Sequence, residues 1–131
     1  MARAVLLVVS AALLLSGCSD EASDMPELGQ VHGVVTLDSK PLKNVTVYFK
    51  PENGRPSQGK TDESGHYQAM YRIDKAGVKV GPNRVRLEWG IDDSGPPIPP
   101  AFGTKSELKL DVQPGDNEFN IDAVGKAAGK K

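Results

Sequence analysis

The sequence is poor in the groups that most chemistry at neutral pH requires. It holds one cysteine and two histidines in 131 residues. A lone cysteine has no disulfide partner within the chain, so a disulfide-stapled scaffold is excluded. His32 and His66 are the sole imidazole candidates for proton transfer near neutrality, and neither stands at metal-ligand spacing. Aromatic residues make up 5% of the chain, too few for a row of exposed rings on which sugars could stack. Tyr48, Tyr71 and Trp89 are the rings available for that role, and Trp89 is expected in the core. Neither sign of charge dominates: 16 basic residues face 17 acidic ones, for a net charge of −1. That balance argues against a nucleic-acid partner. The apolar stretch Ala4 to Leu15 is about twelve residues long, against the roughly twenty that a spanning helix needs. No window carries a dependable helical period.

What is present begins at the N-terminus. Arg3 precedes the apolar stretch, which ends in Leu15-Ser16-Gly17-Cys18. A charged start, an apolar centre and small residues at the end form the layout of a secretory signal. Leu-Ser-Gly-Cys resembles the bacterial lipobox. That resemblance implies cleavage between Gly17 and Cys18 and acylation of Cys18 by diacylglycerol and a fatty acid such as palmitate, which accounts for the lone thiol. Two or more acyl chains anchor a protein stably. The expected location is therefore the cell envelope, on a membrane anchor facing the periplasm or the cell surface. Residues 1–17 read as signal peptide and 18–28 as a lipidated flexible tether, polar and acidic with one proline. Residues 29–122 read as one domain, and 123–131 as a disordered basic tail carrying Lys126, Lys130 and Lys131.

Within the domain, 14 glycines and 10 prolines in the whole chain punctuate it at short intervals, which favours many strands over a few helices. Val31, Gly33, Val35 and Leu37 alternate with polar or outward positions and predict a first strand. Asp38-Ser39-Lys40-Pro41 supplies turn chemistry. Val45, Val47 and Phe49 predict a second strand that stops at Pro51. Short strands follow at Gly59 to Thr61 and His66 to Tyr71, separated by the turn Asp62-Glu63-Ser64-Gly65. Arg84 to Trp89 alternates cleanly. Ile91 to Phe102 contains four prolines and is expected as a long, stiff loop. Leu108, Leu110 and Val112 predict another strand, Gln113 to Asn117 a turn, and Phe119 with Ile121 the last strand. Seven short strands with a turn about every ten residues suggest a two-sheet β-sandwich.

The order Gly33-Val34-Val35-Thr36-Leu37-Asp38-Ser39-Lys40-Pro41-Leu42, Val45 to Phe49 and Thr61 to Tyr67 resembles the carboxypeptidase regulatory-like domain. Gly77 with Val80 to Val85 extends the resemblance. Small planctomycete-type lipoproteins built from one such domain are similar also in the proline-rich loop and the phrase Val112 to Asn117. The resemblance covers residues 29 to 122. It implies a transthyretin-like (prealbumin-like, Ig-like) all-β sandwich of seven strands and an accessory role, and it brings no catalytic residues. The segment Tyr71 to Lys79, with Arg72, Asp74, Lys75 and Lys79, departs from the family's pattern and is expected as a loop.

Several strings look chemical. Gly54 to Thr61 fits the P-loop pattern, yet a P-loop needs a helix to open directly after it. Asp62-Glu63-Ser64-Gly65 stands there instead, so no nucleotide is expected. Asp62 with Glu63, and Asp92 with Asp93, are paired acids without the twelve-residue calcium-loop pattern. No nucleophile elbow appears. One transthyretin-like branch hydrolyses a purine-derived ring and ends in a Tyr-Arg-Gly-Ser-type tail, where this chain ends in Ala-Gly-Lys-Lys.

The expectation is thus a non-catalytic module without cofactor or metal, tethered to the membrane through lipid on Cys18. Its partner would be an envelope protein or, as the alternative, a polysaccharide. The contact surface is expected on the loop residues Pro96, Pro97, Ile98, Pro99, Pro100 and Phe102. Prolines lower the entropy lost on binding, and Ile98 and Phe102 would supply apolar anchors.

Overall fold

The protein is represented by a computed structural model that describes residues 25–125. Gly17, Cys18 and the last residues of the basic tail lie outside the described residues. Twelve strand segments follow one another: β1 (Leu28–Leu37), β2 (Lys40–Pro41), β3 (Val45–Pro51), β4 (Ser57–Lys60), β5 (His66–Gln68), β6 (Met70–Arg72), β7 (Lys75–Ala76), β8 (Val78–Lys79), β9 (Gly81–Trp89), β10 (Leu108–Val112), β11 (Gly115–Glu118) and β12 (Ile121–Ala123). Among the described residues no helix is long and apolar enough to cross a membrane.

The strands form two sheets, giving the all-β sandwich that the alternation predicts. In the first sheet β1 is the spine. Along one flank it pairs antiparallel with β8, β5 and β2, and along the other parallel with β11 and β12. The second sheet runs β10-β9-β3-β4-β6-β7, with β9 and β3 paired over seven residues from Val45↔Trp89 to Pro51↔Asn83. Period-2 alternation makes each strand two-faced. Val31, Val35, Tyr67, Val78 and Ile121 point inward from the first sheet, and Val45, Val47, Phe49, Val85, Leu87 and Val112 from the second. Phe49 lies at the centre, with its ring 6.1 Å from that of Tyr67 and 6.5 Å from that of Phe119.

Two segments differ from their sequence-based expectation. The strand expected over His66 to Tyr71 is split at the buried Ala69, because β5 pairs with β1 while β6 pairs with β4. The Ala69 N–H donates to Val31 O at 2.9 Å, and its carbonyl accepts from Gly77 N at 3.0 Å. One residue thus joins the two layers. The chain switches sheets again at Gly77, whose φ of 131° is open to glycine and to few other residues. This makes the segment expected as a loop, Tyr71 to Lys79, a series of short strands. At the other end of the chain, the turn expected over Gln113 to Asn117 is completed by Pro114, and β11 already starts at Gly115. The Asn117 side chain closes that turn, accepting from Gln113 N and donating to the carbonyls of Gln113 and Gln30, all at 2.9 Å.

Gly33 shows why the spine carries a glycine. A Cβ there would lie 2.0 Å from the carbonyl oxygen of Phe119. At that point the last segment crosses from β11 to β12: Phe119 N donates to His32 O at 2.8 Å, and the Asn120 side chain accepts from Val34 N at 2.9 Å.

Candidate functional site

Ile91 to Phe102 forms no strand, and its only regular piece is a 3₁₀ turn at Pro100–Phe102. It is nevertheless firmly held. The indole Nε1 of Trp89, at the end of β9, donates to Pro96 O at 3.0 Å. Gly95 lies against that indole so closely that a Cβ would be 2.3 Å from Cζ2. Asp93 pairs with Lys60 at 2.8 Å, and Phe102 N donates to Pro99 O at 2.8 Å.

The six loop residues do not share one environment. Pro96, Pro97 and Pro100 are exposed, and Pro99 is buried. Ile98 and Phe102 are half-buried against the core, which leaves only part of each side chain for a partner. Trp89 is half-buried in the same way, at the edge of the core rather than inside it.

Pro96 forms a ridge between two open hollows. One, of about 510 Å³, lies between Trp89, Gly95 and Pro96 on one wall and Leu37, Pro41 and Leu42 on the other. Asp38, Lys40 and Lys43 stand around it. The other, of about 420 Å³, is bounded by Leu37, Asp38, Pro97, Ile98 and Pro100. The facing wall is fixed by the β1–β2 hairpin. Leu37 pairs with Lys40 across the two-residue turn Asp38-Ser39, with φ values of 52° and 73°. Positive φ at both central residues matches the right-handed twist of the strands. Asp38 is tied down further, its N–H donating to Ala123 O at 2.8 Å and its carboxylate accepting from Gly125 N at 3.0 Å.

The other chemical-looking residues are dispersed. In the string Gly54 to Thr61, Ser57–Lys60 is strand β4, and Thr61 is buried with its hydroxyl donating to Leu42 O at 2.7 Å and accepting from Val45 N at 3.0 Å. His32 lies on the outward face of β1 with Nε2 3.0 Å from the Asp116 carboxylate. His66 is exposed after its turn. The Asp62 carboxylate accepts from Ser64 N at 2.8 Å and His66 N at 3.0 Å, and these two N–H groups hold its pKa below the ordinary aspartate value. Gly65 completes the turn with φ 83°. Tyr67 behaves as its sequence position suggests: the ring is in the core, the hydroxyl donates to Phe119 O, and burial pushes its pKa up. Among the described residues no three His, Cys, Asp or Glu side chains converge as metal ligands.

No protein-family model and no curated protein sequence matches the chain. The fold does have a solved counterpart. The chain is similar to the crystal structure of a DUF3823 family protein from Parabacteroides merdae, with a TM-score of 0.51 at 16% identity. The match covers 75% of this chain and 46% of that protein, so it spans less than half of the solved structure. At that identity the likeness concerns the fold alone: a small β-rich sandwich. The hollows beside Trp89 were not legible in advance. Trp89 and Leu37 are far apart in sequence, and what signal there was lay in the prolines that build one wall.

Proposed function

We propose that the protein is a non-catalytic envelope module, held to a membrane through lipid on Cys18, which binds a segment of another envelope protein in the hollows beside Trp89. The observation that carries this reading is the pinned loop. Apolar walls are present before any partner arrives, so binding orders few side chains, and preorganisation raises affinity by reducing that cost. An aromatic ring flanked by prolines, with Asp38, Lys40 and Lys43 at the rim, suits an apolar side chain of a partner with polar groups around it.

The placement of the hollows supports the tethered arrangement. β1 begins at Leu28, the last residue of the expected tether, and ends at Leu37 on the wall of both hollows. At about 3.3 Å per residue the strand carries the site about 30 Å from the point where a tether enters. A module anchored at Cys18 would therefore present the hollows at the end remote from its lipid. The DUF3823 likeness supports the sandwich and carries nothing further about partner or location.

The anchor and the site are tested separately. Wild type and Cys18→Ala are compared for retention in the membrane fraction, where equal retention would remove the lipid anchor from the proposal. A photo-cross-linking residue at position 97 should capture a defined envelope protein, whereas one at position 66, after the Asp62–Gly65 turn and outside both hollows, should not. Pro97→Asp together with Lys43→Glu should abolish capture by a probe at position 94. Equal capture from all positions would show that the hollows are not the site.

A further inference from the structure

The outer face of the second sheet has no part in the proposed site, and its cations are gathered in a row and around a groove. Cross-strand register aligns Lys50 with Arg84 and Arg84 with Lys109, a row of cations across β3, β9 and β10 above a hollow of about 220 Å³. One row on, Gln58, Tyr48 and Arg86 are aligned, with the Arg86 guanidinium 4.7 Å from the centre of the Tyr48 ring. At the β4–β6 side of the same sheet lies a larger groove of about 800 Å³. Its walls carry Arg55, Lys60, Arg72, Gln58 and Gln68 around Tyr71, whose ring lies 5.6 Å from the Arg55 guanidinium and 5.9 Å from that of Arg72. The acids on this side are Glu88, bound to Arg86 at 2.9 Å, Asp93, bound to Lys60 at 2.8 Å, Asp111 on β10, Glu52 at the small hollow, Asp74 in the β6–β7 turn and Glu107 just before β10. The opposite sheet bears Asp116, Glu118 and Asp122 along its β11–β12 flank. A net charge near zero thus conceals an uneven division of charge between the two faces.

We infer that the outer face of the second sheet, entered at the Tyr71 groove, binds an anionic polysaccharide. Guanidinium groups pair with carboxylates or sulfates through two parallel hydrogen bonds, a geometry that a lysine cannot offer. Gln58 supplies both donors and an acceptor, the pairing that sugar hydroxyls require, while the Gln68 amide donates to Gln30 Oε1 at 3.3 Å. The groove and the small hollow lie on one face, four strand spacings or about 20 Å apart between Arg72 and Lys109. Two depressions of the same sign at that separation fit an extended polymer rather than a single small anion. Single-stranded nucleic acid would need open ring faces for its bases, and the rings on this face are attended by Arg55, Arg72 and Arg86. A membrane surface would be met by several apolar side chains standing among the cations. Ile73, 93% exposed beside Arg72, is the one large aliphatic side chain so exposed in the groove, and between Tyr48 and Lys109 the face presents none.

The test uses the mature chain with Cys18→Ser, so that it depends neither on acylation nor on the hollows beside Trp89. Binding to polygalacturonate and to heparin is measured at low ionic strength, with neutral dextran and anionic phosphatidylglycerol vesicles as comparisons. The expected result is binding to one or both acidic glycans, none to dextran, and weakening with added salt. Arg55→Gln with Arg72→Gln should lower affinity at least tenfold, Lys50→Gln with Lys109→Gln should lower it less, and Lys105→Gln with Lys79→Gln, away from both depressions, should leave it unchanged. All the altered side chains are exposed except the half-buried Lys79, and a thermal unfolding curve for each variant separates lost binding from lost folding. The inference is overturned by an absence of glycan binding, by vesicle binding alone, or by equal losses in all three double variants.

Discussion

Thr61 sits where β4 ends and the chain must enter a turn, and its hydroxyl satisfies two buried backbone groups, Leu42 O and Val45 N. Valine has the same shape without the hydroxyl. Thr61→Val should therefore leave both groups unpaired and cost about 2 kcal/mol, measured by urea unfolding. A variant as stable as the parent would mean that other partners replace the hydroxyl. Its neighbour Asp62 gives a pH signature. A carboxyl whose pKa falls on folding adds stability above its unfolded value, and that contribution is lost as pH drops through the folded-state pKa. An NMR titration should place the Asp62 midpoint below that of an ordinary aspartate, and Asp62→Asn should remove its share of the acid dependence. A midpoint at or above the ordinary value would show that the bonds to Ser64 and His66 are not kept in solution. These residues also explain the false P-loop. Its letters are satisfied by a strand whose Gly59 is needed because Gln68 O would lie 2.5 Å from a Cβ.

At the scale of elements, the strands with clean alternation were readable. Val31 to Val35 and, apart from the buried Thr46, Val45 to Phe49 bury every second residue because each has one face on the core. What local pattern could not reveal was pairing. Ala69 and Gly77 divide strands because their neighbours belong to different sheets, and β11 forms because β1 runs parallel beside it. Such partners are distant in the chain, so no window of sequence contains both. The hairpin at Asp38-Ser39 carries a cost of its own, since Ser39 has φ 73° without being glycine. Ser39→Gly should stabilise the protein by about 0.5–1 kcal/mol, visible as a higher thermal midpoint. A lower midpoint would show that the serine side chain makes a compensating contact. The loop gives a second test. Gly95→Ala drives a methyl into the Trp89 indole and should detach Pro96 O from Nε1. A red-shifted tryptophan emission with a nearly unchanged fold is expected, and an unaltered spectrum would show that the loop is not pinned through this contact.

For the whole molecule, β1 is the shared partner of five other segments, and Gly33 is where the tightest of these approaches occurs. Gly33→Ala should push the Phe119 crossing away from the spine and destabilise the fold by more than about 3 kcal/mol, the upper end of what single changes ordinarily cost. Retention of stability would mean that β11 and β12 can move off β1 at little cost. The sandwich itself was legible from turns and alternation, but its division of charge was not. Lys50, Arg84 and Lys109 come from three separate stretches, and only sheet register puts them in one row. Summed charge discards that arrangement.

The spine also has a mechanical meaning. A lipid pulling at Leu28 and a bound partner pulling near Leu37 would load a single strand from its two ends. Hydrogen bonds stand on both flanks of that strand, perpendicular or slanted to its axis. Tension along it is therefore carried by one covalent backbone, and its hydrogen bonds are not opened one after another as a zip. A module built in this way can carry force between a membrane and whatever it holds without unravelling from its attached end.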